Sequence, residues 1–225
     1  MRWKALAAVL LFAATARAHF VFILPDADGR AAKVVFSDRL EPDERVTMDK
    51  LANLKLTLRR PGQPEAPVNW ANSQHCFELP IRGEGPRLVY GAAEYGVMQR
   101  GEGKPFLLIY HPKAIVGDPA AVQPLGESVP VEIVPVRGDG GWRLRVLARG
   151  KPRADAEVTI LTSGESESKK VKTDADGFTP AISASGRCGA WTSLTEPKSG
   201  DHLGKKHGEI RHYATLVVTL PAARN

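Results

Sequence analysis

Apolar residues come along this chain in short runs broken by glycine, proline, aspartate and asparagine, the pattern of strands between turns. Phe20 to Leu24 is an apolar run ended by Pro25, and Val34, Val35 and Phe36 form the next. Leu54, Leu56 and Leu58 alternate with polar residues as a half-buried strand does, and Phe106 to Tyr110 is apolar again. Val131 to Val136 alternates until Arg137 to Gly141 interrupts it. A second series then opens with Trp142, Leu144 and Val146 on one face, turns at Gly150 to Pro152, and continues through Ala156–Ile160, Lys169–Thr173 and Ala214–Leu220. Helical periodicity is confined to single turns, expected at Asp49–Asn53 and Pro112–Val116. The spacing predicts an all-β protein of two consecutive β-sandwich domains, residues 19–136 and 142–225.

The first 18 residues stand apart. Met1 to Lys4 is positive, Ala5 to Ala14 is uninterruptedly apolar, and Ala16-Arg17-Ala18 is a small-x-small cleavage site. The apolar run is too short to span a bilayer, so it reads as a cleaved signal peptide and not a membrane anchor. The mature protein is expected in the periplasm or outside the cell. The net charge of +6 loses Arg2, Lys4 and Arg17 with this leader, leaving +3 with no basic block, which argues against nucleic acid. Export places Cys76 and Cys188, the chain's two cysteines, in an oxidising compartment. Their spacing leaves a disulfide and two separately buried thiols both open.

Several catalytic signatures are missing. There is no Gly-x-Ser-x-Gly elbow, no phosphate-binding glycine motif and no Cys-x-x-Cys, and His207 to His212 departs from the zinc-protease order. An enzyme is therefore not expected. Histidine remains. Cleavage after Ala18 makes His19 the first residue, with a free α-amine and an imidazole Nδ1 that can chelate one metal together. The amine, with a reference pKa near ~8, yields its proton to a metal far more readily than lysine does. An all-nitrogen set completed by a second histidine, the histidine brace, favours copper or else nickel. The second ligand is sought first in His212, just before the last strand, then in His111, at the end of Phe106–Tyr110, then in His75. His202 and His207 lie in a Gly- and Lys-rich loop where solvated histidine is the default. Glu41, Asp43 and Glu44 read as a solvated acidic loop, Met48 and Met98 as core filler, and Tyr90, Tyr95, Tyr110 and Tyr213 as core or edge residues.

Two resemblances add to this. Gly150-Lys-Pro152, Ala156-Glu-Val158 and Thr173-Asp174 through Gly177-Phe178 are similar to the transthyretin-like or carboxypeptidase-regulatory-like sandwich, an immunoglobulin-like architecture. Asp174-Ala-Asp176-Gly177 lacks the remaining ligands of a calcium loop and reads as a turn. Ala18-His19-Phe20, Val35 to Asp38 with Glu41 to Glu44, Tyr110 to Ala114, and Arg211 to Leu216 together resemble a bacterial family described only as domain of unknown function 4198. Members are periplasmic β-sandwich proteins, some of them accessories of nickel or cobalt uptake transporters. The resemblance implies a metal-related role, a membrane metal transporter as partner, and correspondence at His19 and His212; at His207 the family pattern has an aromatic residue. The leading expectation is an exported copper- or nickel-binding protein that captures or delivers metal. Behind it stand a non-catalytic β-sandwich module without metal and, last, a copper oxidase of the brace type found in lytic polysaccharide monooxygenases.

Overall fold

The computed structural model describes residues 18–163, 167–182 and 185–222, so the expected signal peptide lies outside the described residues except for Ala18. The chain is all-β. In order come β1 (Phe20–Pro25), β2 (Ala31–Ser37), β3 (Lys55–Arg59), β4 (Ala66–Val68), β5 (Ala71–Ser73) and β6 (Cys76–Pro80). Then follow β7 (Arg87–Met98), β8 (Phe106–His111), β9 (Lys113–Val116), β10 (Val131–Gly138), β11 (Gly141–Ala148) and β12 (Lys151–Pro152). The last are β13 (Glu157–Thr162), β14 (Lys169–Lys172), β15 (Gly186–Glu196), β16 (Gly200–His202), β17 (Lys205–His207) and β18 (Glu209–Leu220). Among the described residues helix is limited to single 3-10 turns at Asp49–Leu51, Pro119–Ala121 and Gly126–Ser128.

Among the described residues these strands form three layers, with β16 and β17 as a separate two-stranded hairpin. A central nine-stranded sheet runs β14-β13-β15-β18-β8-β7-β3-β4, with β9 pairing both β18 and β7. Its side chains alternate between two cores. Leu56, Val89, Leu108, Tyr110 and Val217 enter the first core, against the sheet β1-β2-β6-β5. Leu88, Ile115, Ala190, Leu216 and Val218 enter the second, against β10-β11-β12. A strand buried on both faces carries apolar residues at nearly every position, which is why β18 reads Ala214-Thr-Leu-Val-Val-Thr-Leu220 with only Thr219 exposed.

This arrangement departs from the expected chain division. Residues 136–142 are the tip of the β10–β11 hairpin, with Gly138 opposite Gly141. The last strand, β18, runs parallel to β8 and β9 and antiparallel to β15, so the two halves of the chain share one sheet. The helical turn expected at Pro112–Val116 is strand β9, because Ala114 serves the first core and Ile115 the second, an alternation only a strand provides. Cys76 and Cys188 are buried in different cores, and no disulfide joins them.

The first strand lies across the central sheet, with its free edge tied down by side chains. The Tyr110 hydroxyl donates to the His19 carbonyl (3.1 Å), Thr215 Oγ1 to the Val21 carbonyl (2.7 Å) and Arg187 to the Pro25 carbonyl (2.7 Å). Carbonyls buried without donors are costly, so these three contacts fix where β1, and His19 before it, can lie. Thr215→Val leaves the Val21 carbonyl without its donor and is expected to lower stability by about 1–3 kcal/mol in urea unfolding, whereas Thr215→Ser keeps most of it.

Candidate functional site

His19 directly precedes β1, where the anchored strand presents it beside the loop after β2. Its Nε2 lies 2.8 Å from Asp43 Oδ2. Asp43 is itself held from three further directions: Oδ1 accepts the Arg45 backbone N–H (3.0 Å) and Nε–H (2.9 Å), and Oδ2 accepts Nη2–H (2.8 Å). The Arg45 fork and, after it, His19 hold the Asp43 carboxyl well below the usual carboxylate range. At 8% side-chain exposure Asp43 is far from the solvated acid expected of this loop. Phe36 stacks obliquely beside the imidazole, ring centres 5.4 Å apart, and contacts Tyr110 in turn. Burial raises the Tyr110 hydroxyl well above its ordinary value, so it remains a neutral donor to the His19 carbonyl.

The geometry has one chemical consequence. A carboxylate on Nε2 selects the tautomer with the proton there and leaves Nδ1 as the basic nitrogen, the arrangement that orients metal-binding imidazoles. His19 keeps 19% side-chain exposure, so it is open to solvent on one side.

His111 and His212 form a second group. They sit on the neighbouring parallel strands β8 and β18, where His111 is paired with Ala214. His111 Nε2 lies 3.0 Å from His212 Nδ1, and His212 Nε2 lies 3.3 Å from Glu196 Oε2, which also accepts from Arg149 (2.9 Å). With Glu196 taking the Nε2 proton of His212, Nδ1 of that ring accepts from His111; this network assigns the tautomers. Burial, and next the neighbouring His212, push His111 down to about 4. Burial also lowers His212, against the opposing pull of Glu196. The pair is neutral at physiological pH.

The structure therefore brings His111 to His212 but brings neither to His19. Tyr110 and Tyr213 share the first-core face with His19's neighbours Phe36 and Phe20. His111 and His212, each one position along the strand, point to the other side of the sheet. The chelate expected between His19 and His212 or His111 is not assembled. Among the described residues no group of three or more His, Cys, Asp or Glu converges to hold a metal. His75, in the β5–β6 turn, places Nδ1 3.4 Å from the carbonyl of Val46, at the far end of the Asp43 loop. His202 pairs with Glu94 at 3.3 Å, and His207, expected in solvent, is buried against Gly200 on the β16–β17 hairpin. Met48 is core, as expected. Asp174 closes its own turn, with Oδ1 accepting from Asp176 N and Phe178 N.

Sequence reasoning missed Asp43, Tyr110 and Glu196 as partners of the histidines. Asp43 carried one local signal, the arginine two residues later that can fold back on its carboxylate. Glu196 carried none, since its contact with His212 depends on how β15 pairs with β18.

No family model matches the sequence, and no curated protein matches it. Among solved structures the chain is similar to one described as a cytokine receptor complex, 16% identical over 90% of this chain and 97% of that one, with a TM-score of 0.28. At that score the likeness bears on neither fold nor function.

Proposed function

We infer that this is an exported metal-binding protein, not an enzyme, that captures copper or nickel at its mature N-terminus and hands it on, with a membrane metal transporter as the receiving partner. Cleavage after Ala18 turns the His19 backbone nitrogen into an α-amine, which with Nδ1 forms a two-nitrogen chelate suited to Cu(II) or Ni(II). The observation that carries this reading is the Asp43 carboxylate on His19 Nε2, which reserves Nδ1 for the chelate. Tyr110 adds to it by fixing the His19 carbonyl and so the backbone from which the amine projects. A site with two protein nitrogens and a solvent-facing side leaves coordination positions for a receiving partner. That suits transfer better than permanent storage.

Processed protein titrated with Cu(II) and Ni(II) is expected to bind one equivalent, and His19→Gln to lose it. Asp43→Asn is expected to weaken binding roughly 10–100-fold with the β-sheet circular dichroism unchanged. An affinity unchanged in both variants removes His19 from the account. A β-sandwich module without metal is the second reading, favoured by the separation of His19 from His111 and His212 by the central sheet.

A further inference from the structure

Away from His19, the β1–β2 turn, the loop between β6 and β7 and the end of β9 converge on an open cleft of about 900 Å³. Arg87 lines it and is 4% exposed. Its guanidinium donates to two backbone carbonyls, Gly85 (2.7 Å) and Gly29 (2.6 Å), while its Nε is buried without a hydrogen-bond partner. Arg187, half-buried in the same cleft, donates to the Pro25 carbonyl, and Arg30 stands at its mouth. Carbonyls share the hydrogen bonds of a buried guanidinium but do not neutralise it, and a buried charge without a counter-charge is expensive. Burial and the nearby Arg60 charge both work against the charged form of Arg87.

Gly29 shows how closely the loop is fitted to this arginine. At φ +68° it takes a backbone conformation natural to glycine, and a Cβ there would lie 3.0 Å from Arg87 Nη2. A loop tie alone would be served by a neutral donor. The carboxylates of the cleft lie on its exposed side: Asp26, Asp28, Glu84 and Asp118. Asp28 and Asp118 accept backbone N–H groups of their own turns. The cleft thus has guanidinium at its buried side, four carboxylates with Arg30 among them at its exposed side, and apolar lining from Ile115, Val116 and Pro86.

We propose that this cleft binds a small zwitterion of the amino-acid or short-peptide type, its carboxylate on Arg87 and Arg187 and its cationic end among the outer carboxylates. Arginine forks match a carboxylate in geometry as well as charge. The inference is independent of metal at His19, because no residue of that site lines the cleft.

The test uses full-length processed protein, metal-free, and the tripeptide Lys-Ala-Ala, followed by NMR titration. Lys-Ala-Ala is expected to bind and to shift resonances of the cleft loops. Its C-terminal amide is expected to bind at least ~10-fold more weakly, the loss that follows from removing a charge-assisted contact, and inorganic phosphate to compete. Arg87→Met is expected to lose binding; should that variant fail to fold, Arg187→Gln, which removes the second guanidinium but keeps a donor for the Pro25 carbonyl, is expected to fold and bind more weakly. Absence of binding, equal binding of the amide, or undiminished binding by a folded Arg87→Met or Arg187→Gln protein overturns the proposal.

Discussion

Glu132→Gln is expected to lower folding stability by roughly 3–5 kcal/mol, because it leaves Lys113 as a buried cation without its counter-charge. Lys113 projects from β9 of the central sheet to Glu132 on β10 of the outer one, Nζ to Oε2 at 2.7 Å, with both side chains buried. Glu132 is fully engaged: Oε2 also accepts the Leu125 N–H (3.1 Å) and Oε1 the Gly126 N–H (2.8 Å). The pair therefore ties the central sheet, the outer layer and the connection between them. Burial lowers Lys113, against the attraction of Glu132, so the lysine depends on that carboxylate for its charge. The double variant Lys113→Met with Glu132→Gln removes both charges and keeps one carbonyl oxygen as acceptor for the Leu125 and Gly126 N–H groups, which the carboxylate served with two. It is expected to recover part of the loss, since no buried charge is left without a partner. Urea unfolding of both variants measures this, and a single-variant loss below about 1 kcal/mol contradicts it.

The second large effect is instability in acid. In the unfolded chain His111 takes up its proton at the ordinary value of 6.5, whereas in the folded protein it does so only at about 4. Between those values the unfolded state binds more protons, so acid favours unfolding. The contribution is complete above pH 6.5 and is lost as pH falls toward 4, by roughly 3 kcal/mol for a gap of this size. His212 acts in the same direction. His111→Gln, which can still donate to His212 Nδ1, removes the His111 contribution and is expected to flatten stability between pH 6.5 and 4.5. The same steepness in parent and variant would show that His111 does not carry the effect.

The all-β class and many of the strands were legible in the sequence. The runs Phe20–Leu24, Phe106–Tyr110 and Ala214–Leu220 lie within strands, and Leu54–Leu58 overlaps β3 in all but its first residue. The long strands β7 and β15 were not visible, because both carry glycine, alanine and polar residues where a strand pattern wants large apolar ones. Their small residues answer to close packing. A Cβ on Gly91 would lie 2.0 Å from the Lys55 carbonyl oxygen, and one on Gly189 would lie 2.4 Å from a Leu40 methyl. The shared central sheet was hidden for another reason. Parallel pairing of β18 with β8 joins residues about a hundred positions apart, and local periodicity carries no information about it. For the same reason His111 and His212 could be named singly but not as partners, and their separation from His19 could not be foreseen. His19 was singled out only through the leader expected before it, while Asp43 looked like any solvated loop acid.

Metal binding through the α-amine of His19 is put to the test by one comparison. Protein exported and processed by its own leader, with its intact mass confirming a start at His19, is titrated with Cu(II) beside a copy carrying one extra alanine before His19. The extra residue moves the free amine away from the imidazole and leaves the folded domain intact. The first protein is expected to bind one equivalent tightly and the second to lose that binding. Equal affinity in the two, or a mature protein that does not begin at His19, would contradict it.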